Sequence, residues 1–128
     1  MSLRSPLGRV LGLGTASGVH HWWAQRLTAL ALAPLGAWFV GSLLTLPDLG
    51  YGTVRGWFAA PWNAVPMLLL VPVVAYHSWL GVVVVLEEYV HGKVPKTLAL
   101  LAAQFLHLLV AAAALLAVLM CRCCRRVV

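Results

Sequence analysis

Charged residues are scarce in this sequence, and their scarcity excludes the most common class of protein. Only 9% of the 128 residues are Asp, Glu, Lys or Arg, whereas a soluble domain carries about a quarter. Hydrophobic residues make up 62% of the chain, and the mean hydropathy is +0.94. A chain of this length has room for one domain and none for a soluble catalytic domain beside its apolar spans. We therefore predict a single membrane domain over residues 1–128.

Acidic residues are the rarest charged group, since three Asp or Glu stand against nine Lys or Arg and leave a formal net charge of +6. The basic residues lie at the ends of apolar runs and not in a patch interleaved with aromatic residues, which is typical of membrane-protein flanks. We therefore expect contact with membrane lipids and not with nucleic acid. The first residues contain arginines but no continuous apolar core, so we expect no cleaved signal peptide.

Cysteine is absent from the body of the chain, because Cys121, Cys123 and Cys124 all fall in the short basic tail 121–128. This placement excludes a disulfide scaffold, and the spacing supplies neither a four-ligand zinc site nor a CxxC pair for an iron–sulfur cluster. A Gly-rich phosphate loop and a Ser–His–Asp arrangement are also absent from the sequence. We therefore do not expect an enzyme that acts by itself.

Three apolar runs are long enough to cross a bilayer, which takes about 20 helical residues. They cover approximately residues 22–45, 64–88 and 97–120. Tryptophans at the start of the first run are typical of an interfacial belt. The Gly-rich stretch Gly50–Asn63 is predicted to be a loop on the opposite membrane surface. The predicted fold is therefore an all-α membrane protein with three transmembrane helices.

One ionisable side chain, His77, lies deep within the second run, roughly at the bilayer midplane for a rise of about 1.5 Å per residue. An ionisable group there is costly and indicates a candidate functional site. A neutral imidazole offers one nitrogen that can ligate iron and one N–H that can bond elsewhere. Gly81, four residues on and on the same face, leaves room for a flat macrocycle or a closely packed helix. His77 is therefore a candidate haem ligand, with a bond to a neighbouring helix as the alternative.

Polar side chains also collect at two span ends. Glu88 and Tyr89 follow His77 by about 16–18 Å along a helix, which reaches the membrane surface. They are suited to bind and protonate a quinone headgroup, or they form an ordinary polar helix end with an aromatic anchor. His20 and Arg26 near the first span suit an anionic group such as a haem propionate, because Arg forms bidentate bonds to carboxylates. Lipid-phosphate anchoring is the alternative for these two residues.

A second histidine, His107, lies within the third run with Gln104 three residues before it. We interpret His107 as a hydrogen-bonding residue between helices. The alternative pairs His107 with His77 as two axial ligands in a self-contained bis-histidine membrane cytochrome b. A small structural or transport subunit without a cofactor is a further alternative.

Two segments carry a resemblance to a known family. GVHHWWAQR, at the start of the first span, and HSWLGVVVVLEEYVHG, over His77–Gly92, resemble the hydrophobic membrane anchor subunits of succinate dehydrogenase, respiratory complex II. The likeness covers roughly Leu7 to Met120. Glu88 stands where the family often has Asp, a departure that keeps the negative charge.

The resemblance implies three transmembrane helices that form half of a membrane-anchor helical bundle. The partner would be a cytochrome b membrane subunit, and the pair would anchor an iron–sulfur subunit and a flavoprotein subunit. A b-type haem would lie between the two membrane subunits, with His77 as this chain's axial ligand and with His20 and Arg26 near the propionates. Tyr89 would hydrogen-bond ubiquinone, with Glu88 beside it.

The resemblance also implies where and how the complex works. The chain would be a non-catalytic subunit of the oxidoreductase that links succinate oxidation in the tricarboxylic acid cycle to ubiquinone reduction. It would lie in a bacterial cytoplasmic (inner) membrane, or alternatively in the mitochondrial inner membrane. The anchor of a fumarate reductase is the alternative within the same redox class.

Overall fold

The computed structural model of the protein describes residues 15–123, and over this range it is built from α-helices alone. Helix α1 covers Thr15–Leu44, α2 Tyr51–Ala59, α3 Pro61–Tyr89 and α4 Lys93–Cys123. No strand occurs within the described range, so the all-α prediction is confirmed.

Three of the four helices contain a segment that is long and apolar enough to cross a membrane. These segments are Val19–Leu44, Pro61–Tyr89 and Lys93–Cys121, so the three predicted membrane-crossing helices are confirmed. Helices α3 and α4 extend beyond the spans predicted from hydropathy. In particular, α4 continues through Cys123, so the first residues of the predicted tail are helical, while the rest of the tail lies outside the described residues.

Most of the apolar surface of the helices faces outward. Large side chains such as Phe105 and Leu109 on α4 are each 69% exposed. Contiguous apolar surface of this extent would be unfavourable in water. In a bilayer the lipid tails are as apolar as leucine, so this exposure carries no comparable penalty. The burial pattern therefore agrees with a membrane-embedded chain.

Helix α3 is the central helix, because it packs against both α1 and α4. The small buried core lies near its start and consists of Ala64, Met67, Leu70 and Val118. Residues late in α1 pack against this core, whereas Thr28, early in α1, contacts His77, late in α3. Helices α1 and α3 therefore run antiparallel. The start of α1 and the end of α3 lie at the same end of the bundle.

The turn between α3 and α4 is tight and depends on a glycine. A Cβ atom at Gly92 would lie 2.6 Å from Pro95 Cγ and 2.9 Å from Pro95 Cδ. Real Cβ atoms do not approach other carbons so closely, and the pyrrolidine ring is stiff. The Lys96 Nζ also donates a hydrogen bond of 2.9 Å to the carbonyl oxygen of Glu87, which ties the start of α4 to the end of α3.

The prediction of a loop over Gly50–Asn63 is wrong, because α2 occupies most of this stretch. Its two internal glycines each disfavour a helix by about 1 kcal/mol, which is why the sequence predicts a loop. Packing overrides this preference: the Trp57 ring stacks on Trp38 at a centroid distance of 5.6 Å and an interplanar angle of 27°. The Asn63 side-chain amide donates a 3.0 Å bond to the Trp57 carbonyl oxygen at the end of α2.

Candidate functional site

His77 lies in α3, half-buried, and its ring contacts α1. Its Nδ1 atom lies 2.8 Å from the Thr28 Oγ1 atom. The same hydroxyl lies 2.8 Å from the Ala24 carbonyl oxygen and 3.1 Å from that of Gln25, as a threonine in a helix commonly does. A carbonyl oxygen can only accept, so the single hydroxyl hydrogen of Thr28 is directed to these carbonyls. The His77 Nδ1–H therefore donates to Thr28 Oγ1.

This donor assignment determines the tautomer of His77. The proton is on Nδ1, and the lone pair is on Nε2. Among the described residues, Nε2 has no hydrogen-bond partner. As a neutral imidazole with this tautomer, His77 has one nitrogen bonded to α1 and the other available to a metal ion.

A polar row on α1 lies along the same seam. His21, Gln25 and Thr28 follow a spacing of four and three residues, which places them on one face of the helix. The Nε2 atom of His21 and the Oε1 atom of Gln25 are buried and have no partner among the described residues. Farther along α1 the same spacing continues with apolar residues that pack on the core: Leu32, Leu35 and Phe39. Buried polar atoms are almost always paired in native proteins, so the two orphan atoms indicate a polar group or water that the described residues do not supply.

Open space lies beside Gly81, one helical turn beyond His77. A Cβ atom built at Gly81 would meet nothing within 4 Å in the described part of the chain. Of the two sequence-based interpretations of this glycine, close packing of another helix of this chain is not observed. This position of α3 is therefore uncovered by the other described helices.

His20 and Arg26 are exposed on α1, at the end of the bundle that also holds the end of α3. The Arg26 guanidinium lies over the Trp22 ring, 5.1 Å from its centroid. Trp22 in turn meets Trp23 edge to face at 5.1 Å. Arg26 makes no ion pair with a carboxylate within residues 19–123. It therefore presents an uncompensated positive charge at this end of the bundle.

Glu88 and Tyr89 are the last two residues of α3, and both side chains are exposed, Tyr89 by 76%. The His91 Nδ1–H donates a 3.1 Å bond to the backbone carbonyl of Tyr89 and leaves the phenol untouched. The structure brings these two residues to the same end of the bundle as His20 and Arg26. It does not enclose the four side chains in one cavity within the described part of the chain.

His107 has both ring nitrogens engaged. Its Nδ1–H donates to the Ala103 carbonyl oxygen at 2.7 Å, and its Nε2 accepts from the Ser78 hydroxyl on α3 at 3.1 Å. The Trp79 ring lies edge-on to the imidazole at a centroid distance of 6.0 Å. His107 therefore makes the hydrogen bond between helices that the sequence suggested, and neither nitrogen is available to a metal.

Sequence reasoning did not single out Thr28, Gln25 or Ser78, although all three are polar residues within apolar spans. The helical spacing of Gln25 and Thr28 from His21 could have identified both residues. An interpretation that considers each charged residue separately misses this spacing. No group of three or more His, Cys, Asp or Glu side chains that could hold a metal occurs in the part of the chain that the structure describes. Within the described residues His77 is therefore not part of such a cluster.

Known proteins of one family are similar to this chain. A family model described as "Succinate dehydrogenase/Fumarate reductase transmembrane subunit" matches residues 1–120. The succinate dehydrogenase hydrophobic membrane anchor subunit of Rickettsia typhi is 36% identical over 75 residues, which cover 59% of this chain and 60% of the relative. The anchor subunit of Rickettsia conorii is 34% identical over 91 residues, which cover 70% of this chain and 72% of the relative.

The extent of these matches decides the family. The match to the Rickettsia typhi relative spans only 60% of that relative's length, but the family model covers the first two apolar helices and the third as far as Met120. The His77–Gly92 segment and the start of α1, which carried the resemblance, both lie inside the matched range. The chain therefore belongs to the family of succinate dehydrogenase and fumarate reductase transmembrane subunits.

Proposed function

We propose that this membrane anchor subunit supplies one axial ligand of a b-type haem and part of a ubiquinone site in a succinate:ubiquinone oxidoreductase. The observation that carries the proposal is the hydrogen bond between His77 and Thr28. The His77 Nδ1–H is bonded to Thr28, and the Nε2 lone pair is available. Histidines that ligate metals almost always donate their other N–H to a neighbouring group in this way. Gly81, one helical turn from His77, adds no side chain on this part of α3 and leaves room for a flat macrocycle there.

The second axial ligand must come from another chain. His107 is engaged through both nitrogens, so it does not support a self-contained bis-histidine cytochrome. A second membrane subunit would supply the other wall of the site against apolar faces that this chain leaves exposed. We propose a cytochrome b membrane subunit for that role.

Haem propionates are the anionic groups that we propose for His20 and Arg26. Both residues are exposed, and the contact between Arg26 and the Trp22 ring is of a kind worth only about 0.5–1 kcal/mol at exposed sites. Hydrogen bonds to charged groups contribute about 1.5–3 kcal/mol, so a carboxylate can draw the guanidinium away from the ring. The orphan atoms of His21 and Gln25 provide further polar contacts at this end of the seam.

Tyr89 and Glu88 are proposed to contact the ubiquinone headgroup. The phenol is exposed at the end of α3 and has no partner among the described residues, so it can donate a hydrogen bond to a quinone carbonyl. A donor at that oxygen stabilises the negative charge that develops during reduction. A neighbouring carboxyl group such as that of Glu88 can hold and pass a proton. The rest of the quinone site would come from partner subunits.

The haem would carry single electrons, and the chemistry at succinate would belong to a flavoprotein subunit linked through an iron–sulfur subunit. This chain's own task is to hold, orient and tune the cofactors. We propose the bacterial cytoplasmic membrane as its location, with the mitochondrial inner membrane as the alternative. A fumarate reductase would use the same geometry with a lower-potential quinone.

A visible spectrum of the native complex tests the haem assignment. The complex is purified in mild detergent through a tag on this chain, from wild type, His77→Leu and His107→Leu. His107 is the matched control, because it is also a histidine within an apolar span. We expect a low-spin b-type signal in the reduced-minus-oxidised spectrum that is lost or altered only in His77→Leu.

Two results would overturn this assignment. An unchanged b-type signal in His77→Leu would move the ligand to another residue or chain. No signal in the wild-type complex would remove the haem from the proposal. Oxidation of succinate by an artificial dye acceptor, measured on the same samples, verifies that each complex has assembled.

A further inference from the structure

We propose that Thr28 is a positioning residue for His77, whose hydroxyl oxygen accepts the Nδ1–H and holds the imidazole in the tautomer and orientation that present Nε2 to iron. This inference rests on the proposed role of His77 as a haem ligand. It assigns a function to a residue that has no charge and that lies on a different helix from the ligand.

The hydrogen-bond accounting around Thr28 carries the inference. Three acceptor atoms would otherwise compete for one hydroxyl hydrogen: the Ala24 carbonyl oxygen at 2.8 Å, the Gln25 carbonyl oxygen at 3.1 Å and the His77 Nδ1 at 2.8 Å. Two of these atoms are carbonyl oxygens and cannot donate. Nδ1 can carry a proton, so all three contacts are satisfied only when it does. The contact lengths therefore select the Nδ1–H tautomer.

The geometry also fixes the direction of the ring. Thr28 is β-branched and bonded to its own helix, so its hydroxyl is held in one orientation. Nδ1 and Nε2 are separated by a carbon atom in the imidazole ring, so a bond from Nδ1 to α1 directs Nε2 away from Thr28. A hydroxyl achieves this without placing a charge in the membrane, where a carboxylate acceptor would be unfavourable.

Removal of the hydroxyl should weaken haem binding and change its electronic state. Loss of the partner of a metal-ligating histidine typically lowers affinity about 10- to 100-fold. The hydrogen bond also makes the imidazole a stronger electron donor, which favours ferric iron. We therefore expect Thr28→Val to raise the haem midpoint potential, while Thr28→Ser, which keeps the oxygen, stays close to wild type.

The experiment uses the assembled complex with its haem. Haem affinity is measured from the transfer of haem to apomyoglobin. The g values of the ferric haem report the ligand field. The haem midpoint potential is measured by redox titration at one fixed pH. Thr97→Val is the matched control: its hydroxyl donates to the Lys93 carbonyl oxygen at 2.9 Å, the same bond within a helix, but contacts no histidine. We expect Thr28→Val and Thr28→Ala to lose haem about tenfold or more readily, with altered g values, and Thr97→Val to match wild type.

The outcomes separate this inference from the proposed function. Loss of haem in His77→Leu together with wild-type affinity, g values and potential in both Thr28→Val and Thr28→Ala would leave the proposed function standing and overturn the role of Thr28. Equal defects in Thr28→Ser and Thr28→Val would also overturn it, because the oxygen would then not be the determinant. An unchanged haem in His77→Leu would overturn the proposed function and this inference with it. Thr28→Ala adds no bulk, so it tests the same oxygen if the valine variant assembles poorly.

Discussion

Replacement of Gly81 by leucine tests whether the proposed haem lies beside this glycine, because the variant should affect haem binding without affecting the folding of this chain. A Cβ atom at this position meets nothing within 4 Å in the described structure, so the chain itself has room for the new side chain. Leucine is also a better helix former than glycine by almost 1 kcal/mol. We therefore expect normal membrane insertion of the variant. The effect should fall on whatever occupies the space outside the chain.

The size of that effect follows from the cost of overpacking. Extra methylene groups in a filled site cost about 1–3 kcal/mol. Since each 1.4 kcal/mol is a factor of ten in an equilibrium constant, haem affinity should fall about 5- to 150-fold. Gly36→Leu on α1 is the matched control, because a Cβ atom there also meets nothing within 4 Å, and Gly36 is not on the helix that carries His77.

The assay measures haem bound per assembled complex for wild type, Gly81→Leu and Gly36→Leu, with amounts of chain in the membrane compared by immunoblot. We expect a reduced haem content in Gly81→Leu alone. Full haem occupancy and unchanged affinity in Gly81→Leu would refute the reasoning that the macrocycle lies beside this glycine. An equal loss in both variants would assign the effect to packing against a partner subunit and would also refute it.

Three further predictions address the other polar residues. Tyr89→Phe removes only the hydroxyl, so we expect slower ubiquinone reduction with unchanged succinate oxidation by a dye acceptor; unchanged quinone kinetics would rule Tyr89 out as a contact. Arg26→Leu removes a positive charge that favours the electron on reduced haem, so redox titration should give a lower haem midpoint potential. Arg55→Leu on α2 should leave the midpoint potential unchanged. An unchanged potential in Arg26→Leu as well would assign Arg26 to lipid anchoring. Ser78→Ala leaves the Nε2 of His107 without its partner, so the free energy of unfolding should fall by about 0.6–1.7 kcal/mol with an unchanged haem spectrum. A changed spectrum would contradict a purely structural role for the bond between Ser78 and His107.

The seam between α1 and α3 is apolar toward one end of the bundle and polar toward the other. Leu32, Leu35 and Phe39 pack on the buried core toward the end of α1. Toward the start of α1 the same face carries polar residues instead: His21, Gln25 and Thr28. Apolar contacts therefore hold one half of the seam together, and the other half retains polar groups that can serve a cofactor.

The two segments GVHHWWAQR and HSWLGVVVVLEEYVHG were enough to indicate the family. The sequence alone showed the membrane character and the three spans, because about 20 consecutive apolar residues leave few alternatives to a transmembrane helix. It also singled out His77, since an ionisable group within such a span needs a reason. It failed over Gly50–Asn63, where local preference predicts a loop and the stacking of Trp57 on Trp38 forms a helix instead.

The hydrogen bonds of each histidine depend on how the helices pack. His77 and His107 look alike in the sequence, as lone histidines within apolar runs. Thr28 lies beside His77 with its hydroxyl hydrogen directed to carbonyl oxygens of its own helix, so Nε2 of His77 is left available. Ser78 lies beside His107, and its hydroxyl donates to Nε2 of that ring and occupies it. Contacts between residues as far apart in the chain as Thr28 and His77 depend on how the helices pack, and the order of residues along one helix does not contain that information.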